Sequence, residues 1–260
     1  MRDVHFLAAL WRANLLAALE YRAAFLSQVL GMVLNNSIFF VFWVLFFGRF
    51  RSVAGWSLPD MMLLFGLVAA GFGLGVFLFG NALRLTDIIA DGRLDYYLSL
   101  PRPVLLHTLA GRSITSGLGD VLYGCLSFAL SGPSSVGDVC RFGLGVLVSM
   151  TIFLAFLVVV HSLAFWLGNV NLLAGQMLNA VISLSTYPLE LFDGTARLAL
   201  FTVVPAALMG AVPARLVRHF TWVQGGQLLG GALALLVLAW VLFHRGLRRY
   251  ESGSAVPMEV

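Results

Sequence analysis

The chain contains no lysine; all sixteen of its basic residues are arginine. A Walker A loop needs a lysine to reach the β- and γ-phosphates of a nucleotide. If ATP drives this protein, a different polypeptide must supply the phosphate-binding loop. Arginine-only usage reads as the coding bias of a GC-rich genome. Charge of either sign is scarce: Asp, Glu, Lys and Arg make up 11% of the residues, where a soluble domain carries about a quarter. There is no HExxH, no GxSxG and no pair of carboxylates within an apolar run, which leaves no nucleophile, base or metal set for an intramembrane enzyme acting on lipids. No metal site is expected. Cys125 and Cys140 fit neither a metal spacing nor a disulfide framework and are expected to be packing residues. Residues 1–24 mix charges with apolar residues and lack the uninterrupted apolar core of a cleavable signal.

What is present is apolar. Hydrophobic residues make up 60% of the 260 and the mean hydropathy is +0.94, a composition that belongs in a bilayer. The formal net charge of +4 does not point to nucleic acid, because the arginines sit at the ends of apolar runs, where they anchor helices at lipid headgroups. The expected fold is an all-α integral membrane domain over 1–260. An amphipathic interface helix (1–24) places Val4, Leu7, Trp11, Leu15 and Leu19 at helical spacing. Six spans are expected at 25–47, 61–80, 114–130, 142–167, 172–187 and 225–243, grouped as 25–83, 113–187 and 223–250, with a tail at 251–260. Trp56 is placed for the interfacial aromatic belt. Gly66, Gly71, Gly73, Gly75 and Gly80 in the second span allow a neighbouring backbone to come close. Asn169 and Asn171 mark a tight turn. Segment 188–222 is interrupted by Pro205 and Pro213 into pieces too short to cross, and reads as a re-entrant helix pair on the far side. Six spans put both termini on one side. With that side cytoplasmic, ten arginines lie inside and six outside, in modest agreement with the positive-inside rule.

The longest polar interruption is 84–112, which gathers Asp87, Asp91, Asp95, Arg84, Arg93, Arg102 and Arg112. Leu85, Ile88 and Ile89 share one helical face there. Gly92 permits a change of direction, and Pro101 and Pro103 stop the short helix that Leu94, Tyr97 and Leu98 begin. Such an element suits the groove of a soluble partner. A helix resting on headgroups is the plainer alternative, disfavoured because its first half is weighted to aspartate. Within the spans, Gln176, Asn179, Ser183 and Thr186 form one polar stripe, with Asn35 and Asn36 in the first span. These groups either bond helix to helix or line a pathway. Asp120 and His161 are intramembrane ionisable groups. They motivate an alternative reading as an ion-coupled secondary transporter, although each could be satisfied locally.

These residues resemble a family, the membrane subunits of ABC-2 type ATP-binding-cassette exporters. The likeness runs through YRAAF (21–25), Gly55–Trp56, DGRLDYYLSLPRPVLLH (91–107) and YPLELFDGTARLALFTVVPAALMGAVPARL (187–216), in order along nearly the whole chain. The resemblance implies a permease without a catalytic site of its own, in the plasma membrane of a bacterium. It would pair with a second permease, a copy or a different chain, on a cytosolic ATPase dimer that holds ATP and Mg. Segment 84–98, with Leu85, Asp87, Ile88, Ile89, Asp91, Gly92, Leu94 and Asp95, would be the coupling helix. The substrate pathway would run past Asn35, Phe72, Phe77, Gln176, Asn179, Ser183 and Thr186. Pro188, Phe192, Pro205 and Pro213 would form the re-entrant gate. The scarcity of charge along that pathway suggests export of an amphipathic or lipid-like cargo or drug.

Overall fold

The computed structural model describes residues 2–250, so Met1 and the expected tail at 251–260 lie outside the described residues. Among the described residues every regular element is helical, and the one β-type pairing is an isolated bridge between Val53 and Trp56. The chain opens with α1 (Arg2–Glu20), is interrupted at Tyr21 and continues as α2 (Arg22–Arg49). The expected apolar face of α1 divides. Leu7 turns inward and the Trp11 indole donates to the Leu78 carbonyl at 2.7 Å, while Val4 and Leu19 stay exposed.

Helix α3 (Leu58–Leu78) starts at a capping box in which the Ser57 N–H donates to Asp60 at 3.0 Å, with a proline in its first turn. A 3-10 turn (Gly80–Arg84) leads into three short helices, α4 (Leu85–Ala90), α5 (Leu94–Leu98) and α6 (Val104–Ala110). Gly92, between the first two, has a φ of +72°, the left-handed geometry that glycine adopts without steric cost. Then come α7 (Gly117–Leu130), α8 (Val136–Ser162) behind a second capping box from Ser135 and Asp138, and its continuation α9 (Ala164–Leu167). The Asn169 side chain accepts from the Asn171 N–H at 3.0 Å and shapes the turn into α10 (Asn171–Ser185). Helices α11 (Gly194–Thr202), α12 (Ala206–Met209) and α13 (Ala211–Arg218) form a broken segment before α14 (Trp222–Leu247).

Among the described residues, four helices are long and apolar enough to cross a membrane: α2, α3, α8 with α9, and α14. A fifth is added if α11 and α12–α13, bent by 65° at their break, count as one. The third and fifth expected spans do form helices, but of 14 and 15 residues. At a rise of 1.5 Å per residue these reach about 21–23 Å, short of a hydrocarbon core of about 30 Å.

Helix α3 lies at the centre. A side chain on Gly66 would meet the Gly124 carbonyl, and one on Gly73 would overlap Gly117 and Asp120, so the backbones of α3 and α7 are in direct contact. On the α8 side, Gly71 lies against Ser149 and the Met150 backbone, and Gly75 makes room for the Phe153 ring. The glycine stripe therefore serves two neighbours, as small residues in lipid do. Helices α2 and α14 cover this centre and leave most of their apolar surface outward.

Two expectations need correction. Pro213 does not break a helix: it lies in the first turn of α13, where a missing N–H costs nothing, and the second break falls at Gly210 (φ −119°, ψ −77°). Cys125 and Cys140 are free and exposed on the outer faces of α7 and α8 rather than packed. Trp56, expected at the aromatic belt, is buried within the protein, and its indole donates to Glu190 at 2.7 Å.

Candidate functional site

Helices α2, α3, α7 and α10 enclose a cleft of about 500 Å³. Asn35, Phe72, Ser183 and Thr186 from the expected pathway line it together with Asn36, Trp43, Asp120 and Tyr187. Phe77, Gln176 and Asn179 do not line it. Gln176 and Asn179 continue the stripe of α10 on an exposed face. Phe72 reaches the cleft while its ring packs edge-on to Phe153 at 5.0 Å. The Asn36 amide donates to Asp120 Oδ1 at 2.6 Å and to the Met32 carbonyl at 3.1 Å, tying α2 to α7 across the cleft floor. Sequence reading noted Asn36 and Asp120 separately but could not join them, since they lie 84 positions apart and neither has a local motif.

The charged loop folds differently from its expected use. Leu85 is fully buried, as are Ile88, Ile89 and Leu94, in the chain's own core against α8 and α9. The amphipathic face was identified correctly, but it packs inward. The loop's outward surface consists of Asp91, Arg93, Tyr96, Leu98 and Ser99. Asp91 and Arg93 pair at 2.8 Å.

Two bonds pin α4. The Thr86 hydroxyl lies 2.7 Å from His161 Nδ1, and the Thr86 N–H donates to the same nitrogen at 3.3 Å, so Nδ1 is the acceptor. The Asn171 amide donates to Asp87 Oδ1 at 2.6 Å. Asp87 also faces Arg84 at 3.7 Å. Asp95 lies beside Tyr250, and burial together with that carboxylate pushes the phenol up to about 12. His107 stacks edge-on between Phe6 at 4.8 Å and Tyr97 at 5.2 Å. Burial, then the nearby Arg102 guanidinium, hold its pKa below the ordinary histidine value. His161 and Asp120 share no hydrogen-bond partner; the first serves α4 and the second α2.

At the other end of the bundle, the expected gate residues Pro188, Pro205 and Pro213 are buried and Phe192 is half-buried. Glu190 accepts from Trp56 and pairs with Arg215, whose guanidinium also lies 5.9 Å above the Trp56 ring. Arg218 faces Asp60 at 3.4 Å and donates to the Ser131 carbonyl at 2.6 Å. Arg141 donates to the Val217 carbonyl at 2.8 Å, satisfying an acceptor at the end of α13. Sequence reading missed this clamp. Its signal was the presence of Glu190, Arg215 and Arg218 at the two ends of the apolar stretch 198–214.

A family model described as ABC-2 family transporter protein matches residues 33–254. No curated protein and no solved structure is matched.

Proposed function

Since the chain belongs to the ABC-2 family of transporter proteins and is therefore a membrane subunit of an ABC-type transporter that works with an ATP-binding-cassette component, we propose that it is one half of an exporter. In this reading a second permease, identical or different, completes the pathway. A cytosolic ATPase dimer holding ATP and Mg drives it. Six crossings, two of them by the short helices α7 and α10, leave both termini in the cytoplasm of a bacterium, and α11–α13 form the far-side re-entrant gate.

The observation that carries the reading is the connection of α4. Asp87 is bonded to Asn171, the first residue of α10, and Thr86 to His161 near the end of α8. A push on segment 84–98 is thereby delivered to α10, which carries Ser183 into the cleft. Leu85, Ile88, Ile89 and Leu94 make the loop rigid, and Asp91, Arg93, Tyr96 and Leu98 offer the contact surface. The pathway runs from the exposed Gln176 and Asn179 through the cleft to the gate, and suits an amphipathic or lipid-like cargo or drug.

The test uses surface positions, because changing Ile88 would damage the core. Replacing Asp91 with Arg together with Tyr96 with Ala should abolish co-purification with the ATPase and its stimulation, while membrane insertion stays normal. Undiminished association would remove the docking surface from consideration.

A further inference from the structure

The cleft between α2, α3, α7 and α10, at about 500 Å³, has room for a drug-sized molecule. Six aromatic rings line it, from Phe39, Phe42, Trp43, Phe65, Phe72 and Tyr187. One carboxylate, that of Asp120, lines the cleft with them. Asp120 is 2% exposed; Asn36 serves its Oδ1 at 2.6 Å, and Oδ2 is buried without a hydrogen-bond partner. No arginine or histidine lines the cleft, and among the described residues no cationic side chain lies within ion-pair distance of Asp120.

A carboxylate withdrawn from water is stable only when paired and hydrogen-bonded. Here the protein supplies the hydrogen bond and omits the counter-charge. The faces of aromatic rings carry negative potential and attract cations, more strongly where water is excluded. Carboxylate and rings thus favour the same sign of ligand charge, and the rings also offer apolar contact.

We propose that this cleft binds an amphipathic organic cation, with its positive centre beside the Asp120 carboxylate and its apolar body among the six rings. The inference rests on reading the cleft as the cargo pathway, and it narrows the cargo class. A neutral molecule of the same shape loses the pairing, and an anion meets both the carboxylate and the ring faces unfavourably.

The probe is radiolabelled tetraphenylphosphonium, bound to the purified full chain in nanodiscs with empty-disc background subtracted. Saturable binding is expected, displaced by unlabelled tetraphenylphosphonium and at least tenfold more weakly by the neutral triphenylphosphine oxide. Asp120→Asn should weaken cation binding at least tenfold, and Asp120→Glu should retain most of it. Equal displacement by cation and oxide overturns the proposal. So does an Asp120→Asn variant that binds as the unaltered chain does, which would reduce Asp120 and Asn36 to a strut between two helices. If Asp120→Asn fails to insert, the competition on the unaltered chain decides by itself. The assay contains no ATPase, so its result is independent of the docking test: cation binding without ATPase association leaves this inference standing and removes the coupling reading, and the converse result does the opposite.

Discussion

At Gly73 a single side chain decides whether two helices can touch. A β-carbon there would overlap Gly117 and Asp120 of α7, so Gly73→Leu forces the pair apart. Overpacking of this kind costs about 1–3 kcal/mol or more, and each kcal/mol lowers the Tm of a chain this size by about 2–4 °C. Gly143, with open space where its side chain would lie, supplies the contrast: Gly143→Ala should leave the Tm unchanged or slightly raised. Thermal melting of the solubilised protein reads both. His107 makes stability depend on pH. Its pKa in the folded chain is depressed, so between that value and the ordinary histidine value of about 6.5 the unfolded chain holds more protons. Stability from this group is complete above about pH 6.5 and declines as the pH falls below it. The Tm should therefore drop on acidification, and His107→Phe, which removes an unpartnered buried Nδ1, should flatten the dependence.

At the scale of elements, the broken segment separates two kinds of helix interruption. Pro205 precedes α12 and ends the helical run before it, whereas Pro213 occupies a first turn that tolerates it. Pro213→Ala should be silent in a melting assay. Gly210→Ala should not be, since its new carbon would overlap the Ser185 carbonyl; a Tm equal to that of the unaltered chain would contradict the packing of α12 against α10. The elements differ in how legible they were. Long apolar runs announced α2, α3, α8 and α14, because hydrocarbon demands about twenty apolar residues in succession. The face formed by Leu85, Ile88 and Ile89 was equally visible. Periodicity reports that a face is buried but not by what, and here the chain's own α8 and α9 cover it. The cleft was half legible. The stripe of α10 pointed to it, but the bond between Asn36 and Asp120 depends on a tertiary approach that glycines on α3 and α7 allow and no local pattern encodes.

In the proposed mechanism the whole molecule acts as a linkage between two ends of one bundle. The bond from Asn171 to Asp87 spans 84 positions and is the direct tie between the charged loop and α10. Because this bond is solvent-exposed, it contributes at most the lower end of the about 1.5–3 kcal/mol of hydrogen bonds to charged groups. Asp87→Ala and Asn171→Ala should then each reduce ATP-driven transport by up to about tenfold, the factor that 1.4 kcal/mol represents. The double variant should be no worse than the poorer single one, since both remove the same interaction. Additive losses in a reconstituted transport assay would show that the two residues act separately. The amides of Gln176 and Asn179 lead to a different kind of consequence. They stand exposed on α10, and in the proposed six-span arrangement hydrocarbon would offer them no partner. If the proposed second permease covers that face, a copy made in excess of it would leave these amides facing lipid. In that reading the cellular lifetime of this protein is expected to follow the supply of the proposed companion, and equal abundance with and without it would count against a covered α10 face.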